Sequence, residues 1–447
     1  MPEIAGLPYF EIQFTKDGHV HAEGEVTDLL QFLSLKGHSD LLVLAHGWNN
    51  DSAEARQLYR NLLENLRERL DVTAVPNPDS RNVAVLGVLW PSKKFADEDL
   101  IPSGAASASS PISDAVIREQ LEDLKGFFSQ PGADQALEQA KQLVSKLQDS
   151  PQARREYADL LRSAVPTQSA DAEDASDRLF KVDGAELLNR LSKPILSSGR
   201  ALGSTGSSAG AAAAGPAARI DAVGGAAGLE LSFSGVKAAA RRLLNYLTYY
   251  QMKERAGTVG RDGLNPILRS LRAQDAALRL HLVGHSFGGR LVTAAAVGPD
   301  DQPPIGLSSL TLLQAAFSHH GFAKSYDGVN DGLFRRLVTD AIVSGPVVIT
   351  YTENDKAVGL AYPIASQIAG QTAARLGDKN DLYGGLGRNG AQKTPEAIDR
   401  SLLEVGGVYE FQTGSLYNLK ADQFISDHND VTGKQVAHLL LVAMGIN

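Results

Sequence analysis

The sequence predicts an α/β fold: a mostly parallel sheet with helices on both faces, plus a large helical cap insertion. Three observations carry this. Short apolar runs alternate with stretches of helical spacing at both ends of the chain. The run Leu278 to Val283 ends in Gly284-His285-Ser286-Phe287-Gly288 and is followed by Arg290 to Val297, which reads as strand, sharp turn and helix. Between Trp90 and Leu278 lie far more residues than one crossover helix needs. The expected division is therefore 1–92 as the first part of the core, 93–235 as the insertion, and 236–447 as the second part of the core.

Taken in order, Tyr9 to Phe14 alternates and reads as an edge strand, and His19-Val20-His21 as its return after the Lys16-Asp17-Gly18 turn. Leu41 to Ala45 is a buried-strand pattern. Asn50, Asp51 and Ser52 offer caps for a helix to Leu70, with Ala55, Leu58, Leu62, Leu66 and Leu70 on one face. Asn82 to Leu89 is the next strand. Within the insertion, Pro111 to Ser129, Asp134 to Leu147, Gln152 to Val165 and Ala185 to Leu191 show helical spacing broken at Pro or Gly. Leu196 to Gly228 is dominated by Ser, Gly and Ala, and reads as a flexible linker or as a tightly packing small-residue helix. Helices follow at Val236 to Arg255 and around Leu264 to Gln274. Leu307 to Ala316 and Pro346 to Tyr351 are core strands, Val408 to Phe411 the last strand, and Val431 to Met444 the closing helix.

Composition narrows the function. The 447 residues carry a net charge of −9, which disfavours nucleic acid and anionic membranes as partners. No apolar run reaches about twenty residues, so no transmembrane segment is expected, while peripheral lipid contact stays open. Met1-Pro2-Glu3-Ile4-Ala5 has neither a basic nor an apolar region of the secretory kind, so a cytoplasmic location is expected, with non-classical export left open. The absence of cysteine removes disulfides and thiolate chemistry. Adjacent His319-His320 would point apart in a strand, and no His-Glu-x-x-His occurs, so neither a metal nor a cofactor is expected.

The turn around Ser286 carries the chemistry. A serine at the apex of a strand-to-helix turn is held in a strained backbone that presents its hydroxyl, and Gly284 and Gly288 leave room for the turn to close. A hydroxyl alone is a weak nucleophile and needs a base, an orienting acid and an oxyanion site. His428, in Ser426-Asp427-His428-Asn429-Asp430-Val431, is the candidate base. His46 and His285 sit within turn motifs as backbone supports, His319 and His320 follow a strand, and His438 falls inside the last helix. Asp355, past the Pro346 to Tyr351 strand, is the candidate acid, with Glu353 and Asp427 as rivals. The Leu41 to Ala45 strand runs into His46-Gly47-Trp48-Asn49-Asn50, where the N–H of Trp48 would pair with that of Phe287 as the oxyanion hole.

On these residues the chain resembles the α/β-hydrolase superfamily of serine esterases and lipases, and is similar to a bacterial branch of α/β-hydrolases of unknown function. The marks are His46-Gly47-Trp48-Asn49-Asn50, Leu89-Trp90-Pro91-Ser92, the Gly284 to Gly289 turn, and His428-Asn429-Asp430-Val431, in the chain order Ser286, Asp355, His428. The resemblance covers roughly Leu41 to Ser92 and Leu271 onward. It implies the fold and hydrolysis of a small-molecule or lipid ester through an acyl-enzyme on Ser286, and it leaves acyl length and oligomeric state open. Two alternatives stand beside it: an acyltransferase using the same three residues, and a non-catalytic interaction protein on a hydrolase scaffold.

Overall fold

The computed structural model describes residues 2–35, 37–48, 50–72, 81–92, 113–167, 171–193, 235–355, 358–370 and 382–446. The Gly/Ala/Ser-rich segment and Asn49 lie outside the described residues. The chain divides into two compact units: Met1–Lys93 with Tyr250–Gly359 and Gly384–Asn447, and Lys94–Tyr249 with Leu360–Tyr383.

The first unit is built on a nine-stranded sheet. Its strands are β1 (Glu3–Ile4), β2 (Leu7–Gln13), β3 (Asp40–Ala45), β4 (Val83–Leu89), β5 (Arg279–His285), β6 (Ser309–Leu313), β7 (Val347–Tyr351), β8 (Ala397–Ser401) and β9 (Leu416–Lys420). They lie in the order β1-β2-β4-β3-β5-β6-β7-β9-β8. All neighbours are parallel except β1 and β2. Continuous apolar runs such as Leu41 to Ala45 follow from burial on both faces. Leu42 and Leu44 pack with Tyr59, Leu62 and Leu66 of the helix Ser52–Val72 and with Val436 and Leu440 of the helix Lys434–Ala443. Leu41 and Val43, one residue out of phase, face the opposite side, and there the helix Phe287–Val297 packs on β3, β5 and β6.

The chain winds outward from β3 to β4, then crosses back to β5 on the other side of β3. That reversal makes the carboxyl ends of β3 and β5 a topological switch point, the place where open α/β sheets form their crevices. Ala45 pairs with Gly284, so the residues after each strand emerge side by side.

Some expected elements shift. The edge position expected for Tyr9 to Phe14 goes to the short β1, and β2 pairs on both sides. The return over His19 to His21 reduces to one bridge between Phe14 and Val20, after which comes an unanticipated helix, Glu23–Ser34, that buries only Leu29 and Leu33. Val408 to Phe411 is not a strand. Its alternation is real, with Val408 exposed and Tyr409 and Phe411 packed against the core, but no backbone among the described residues pairs with it as a strand. The terminal strands are β8 and β9 instead.

The second unit is helical among the described residues, with Asp114–Asp123, Ala133–Leu143, Pro151–Ser163, Ser176–Lys181, Gly184–Leu191 and the first part of Val236–Thr258. Ser113, Ser150 and Asp183 cap three of these helices through their side-chain oxygens. Leu121, Leu124, Phe127 and Phe128 are buried as their spacing requires, whereas Val116 is exposed. The unit also takes in Leu360–Tyr383, outside the expected 93–235. Among the described residues, no helix is long and apolar enough to cross a membrane.

At the amino edge of the sheet one carboxylate ties the first unit together. Asp40, fully buried, accepts hydrogen bonds from Arg81 (2.6 and 2.8 Å), Arg279 (2.9 and 3.1 Å), His281 Nε2 (3.0 Å) and Ser39 (2.6 Å). Ser309 closes the chain on His281 Nδ1 at 2.8 Å. Arg81 also donates to the carbonyls of Met444 and Gly445 at the end of the last helix. Burial works against the charge of Asp40, but the bonds from His281, Arg279, Arg81 and Ser39 prevail and hold its carboxyl well below the usual range. Because the folded pKa is depressed, the stabilisation is complete above the free value of 3.8 and is lost as pH falls below it toward the folded value. Asp40→Asn leaves two guanidinium groups without their counter-charge and should cost about 2–3 kcal/mol, allowing for their partial exposure. Denaturant titration near neutrality checks this; an unchanged midpoint would show that the network contributes nothing.

Candidate active site

The serine is delivered by the end of β5. Ser286 adopts φ 55°, ψ −124°, a region non-glycine residues seldom occupy. Three backbone bonds of 3.0 Å hold it there: its N–H donates to Leu313 at the end of β6, and its carbonyl accepts from Gly289 and Ala316. Gly288 packs so closely on Ala45 that a Cβ would overlap the Ala45 carbonyl. Contrary to an exposed apex, Ser286 is 4% exposed.

His428 and Asp355 converge on this serine. Nδ1–H of His428 donates to Asp355 Oδ2 at 2.8 Å, and the Ser286 hydroxyl donates to His428 Nε2 at 2.8 Å. The tautomer follows from the partners, since a carboxylate can only accept. The other oxygen of Asp355 accepts the N–H of Val358 at 2.9 Å. Burial would lower the pKa of His428, but the charge of Asp355, its hydrogen bond and the charge of Asp427 outweigh it and raise the pKa above the ordinary 6.5.

The rivals are engaged elsewhere. The Glu353 side chain is 72% exposed and pairs with Lys420 at 3.3 Å. Asp427 accepts the N–H groups of Asn429 and Asp430 within its own turn. His438 donates to the Gly407 carbonyl at 2.8 Å. His319 and His320 do not point apart: the chain has left the sheet at Leu313, and their rings lie 4.0 Å apart in a turn.

Two groups that sequence reading passes over fix the loops. Asn354 donates from its amide to the carbonyls of Asp422 (3.1 Å) and Ile425 (2.9 Å), joining the loop of Asp355 to the segment leading to His428. Arg388 donates to the carbonyls of Glu353 (2.8 Å) and Asp355 (3.0 Å). Both act through main-chain oxygens, which leave no mark on side-chain spacing.

The turn after β3 is fixed as firmly. His46 Nε2 accepts the N–H of Trp90 at 3.3 Å, so Nδ1–H donates to the Gly47 carbonyl at 3.0 Å. Trp90 Nε1 donates to the His46 carbonyl, and Tyr59 bridges the His46 N–H and the Val88 carbonyl. Burial lowers the His46 pKa to about 4, so the ring is neutral. Gly47 lies against the serine: a Cβ there would be 2.7 Å from that of Ser286. The next residue, Trp48, sets its ring edge-on to Phe287 at 6.1 Å. The Trp48 backbone N–H has no acceptor among the described residues.

No family model, no curated protein and no solved structure matches the chain.

The geometry is a hydroxyl, an imidazole and a carboxylate in one hydrogen-bonded line. By NMR, His428 should titrate above 6.5 in the folded protein. In Asp355→Asn the charge is lost while burial remains, so the value should fall below that of the wild-type ring. An unmoved titration would mean that Asp355 does not polarise this ring.

Proposed function

We propose that the chain is a serine hydrolase of carboxylic esters with an α/β-hydrolase fold, the second unit being the insertion. The hydrogen-bonded line from Asp355 through His428 to Ser286, on a strained turn at the switch point of the sheet, carries the reading. Ser286 Oγ attacks the ester carbonyl carbon while its proton passes to His428 Nε2. The carbonyl oxygen takes up the negative charge and is met by the N–H groups of Trp48 and Phe287. Phe287 opens the helix Phe287–Val297, whose dipole favours an anion at that end. The carbon–oxygen bond of the alcohol breaks, and His428 returns the proton to it. Water then attacks the acyl-enzyme, gives its proton to His428, and the acid leaves as Ser286 regains its hydrogen. Asp355 keeps the imidazole in the required tautomer and offsets its charge throughout.

A fluorophosphonate should label Ser286, and p-nitrophenyl esters of increasing chain length should be turned over and rank the acyl preference. Ser286→Ala should lose label and turnover, the latter by about 10⁴-fold or more. An alanine variant that still hydrolyses these esters would refute the assignment. Since His428 must be unprotonated to act, kcat/KM should fall as pH drops through its raised pKa, giving an acid limb above 6.5. Asp355→Asn should lower kcat by about 10⁴-fold, and Glu353→Gln should leave it near wild type; the reverse pattern would reassign the acid.

A further inference from the structure

We infer that His285, the residue before the nucleophile, is a positioning residue for the base: its Nε2–H holds the main-chain carbonyl of His428, 2.8 Å away, and fixes the loop from which the His428 ring reaches Ser286. The inference rests on the hydrolase reading and adds a residue that reading does not use.

His285 is the last residue of β5 and is buried, so its ring starts from a rigid point. A carbonyl only accepts, so Nε2 carries the proton and Nδ1 is a bare lone pair. That Nδ1 is buried and has no hydrogen-bond partner among the described residues. It lies beside Gly47, where a Cβ would be 3.2 Å from it. His285 lines a small, mostly apolar cavity with Leu44, Leu62, Val283 and Leu313, whose polar members are Tyr59 and Thr432. A buried acceptor without a partner costs stability, and an apolar side chain of similar size would avoid that cost. What the imidazole gains in return is the bond to residue 428. Burial, and the neighbouring His428, lower its pKa to about 3, so the ring stays neutral and Nε2–H is its one donor.

The loop needs such an attachment. Asp427 and Asp430 shape it from within, through bonds to Asn429, Asp430 and Ser426. Asn354 ties its approach to the acid loop. The His285 bond joins residue 428 to the strand that presents the serine, and the two rings lie 4.9 Å apart. Serine and base are thereby referenced to one element, and their 2.8 Å contact does not depend on the loop alone.

The test compares two substitutions of similar size. His285→Met removes the donor. His285→Gln keeps a donor in nearly the same place. With p-nitrophenyl acetate, His285→Met should lower kcat by about 10- to 100-fold with little change in KM, as misplacement of a catalytic group by about 1 Å does, and His285→Gln should restore most of it. Unchanged kcat in a folded His285→Met protein, or equal losses in both variants, would overturn the role. A second measurement needs no variant: ¹⁵N shifts of the wild-type ring should show protonated Nε2 and bare Nδ1 at neutrality. The opposite tautomer, with Nε2 bare, overturns the inference even if Ser286 reacts with fluorophosphonate. Failure of Ser286 to react overturns the hydrolase reading, and the positioning role with it, whatever the tautomer.

Discussion

The strained backbone of Ser286 is the constraint on which the site depends. A left-handed conformation in a residue with a side chain costs on the order of 1–3 kcal/mol, and it persists only where neighbours over-determine it. Here they do so on three sides. Leu313 at the end of the next strand holds the amide, Ala316 just beyond it holds the carbonyl, Gly289 closes the turn from the helix, and Gly47 and Gly288 remove the side chains that would block the approach of β3. Each of these contacts requires β3, β5 and β6 to be adjacent and parallel. The strand order is therefore a precondition of the site.

Parallel strands also deliver the other two groups. Asp355 follows β7 and His428 follows β9, so both loops leave the same edge as the serine. Loops at an edge are mobile unless tied. In this protein the ties run mostly from side chain to main chain: Asn354 to Ile425, Arg388 to Asp355, His285 to His428. Such bonds fix where a loop lies without taking up the atoms that do chemistry.

Much of this was legible in the sequence, for reasons that also mark the limit. Strands buried on both faces announce themselves as apolar runs, and the serine turn is written in contiguous residues. Ser286, His428 and Asp355 could be picked because each follows a recognisable strand or precedes a recognisable helix. The helix Glu23–Ser34 escaped because it buries little, and β8 because its side chains are mostly exposed, as in Asp399, Arg400 and Ser401. Tyr409 and Phe411 imitate a strand because two rings on one side of an extended chain give the same alternation, and only a neighbouring backbone would make it a ladder. The positions of Asn354 and Arg388 are set by contacts remote in sequence, to which periodicity is blind.

The cluster at the amino edge gives the site a built-in comparison. Ser309, His281 and Asp40 bond to one another in the same sequence of groups as Ser286, His428 and Asp355. The ring nitrogens are exchanged between the two, and the charge balance differs. Burial lowers the pKa of His281, and the carboxylate beside it is shared with two arginines, whereas the Asp355 carboxylate forms no ion pair with an arginine among the described residues. His428 sees a negative charge left unspent and is driven the other way. The same three residue types thus stand at both ends of the sheet: burial and two arginines hold one imidazole down, and an acidic neighbour drives the other up.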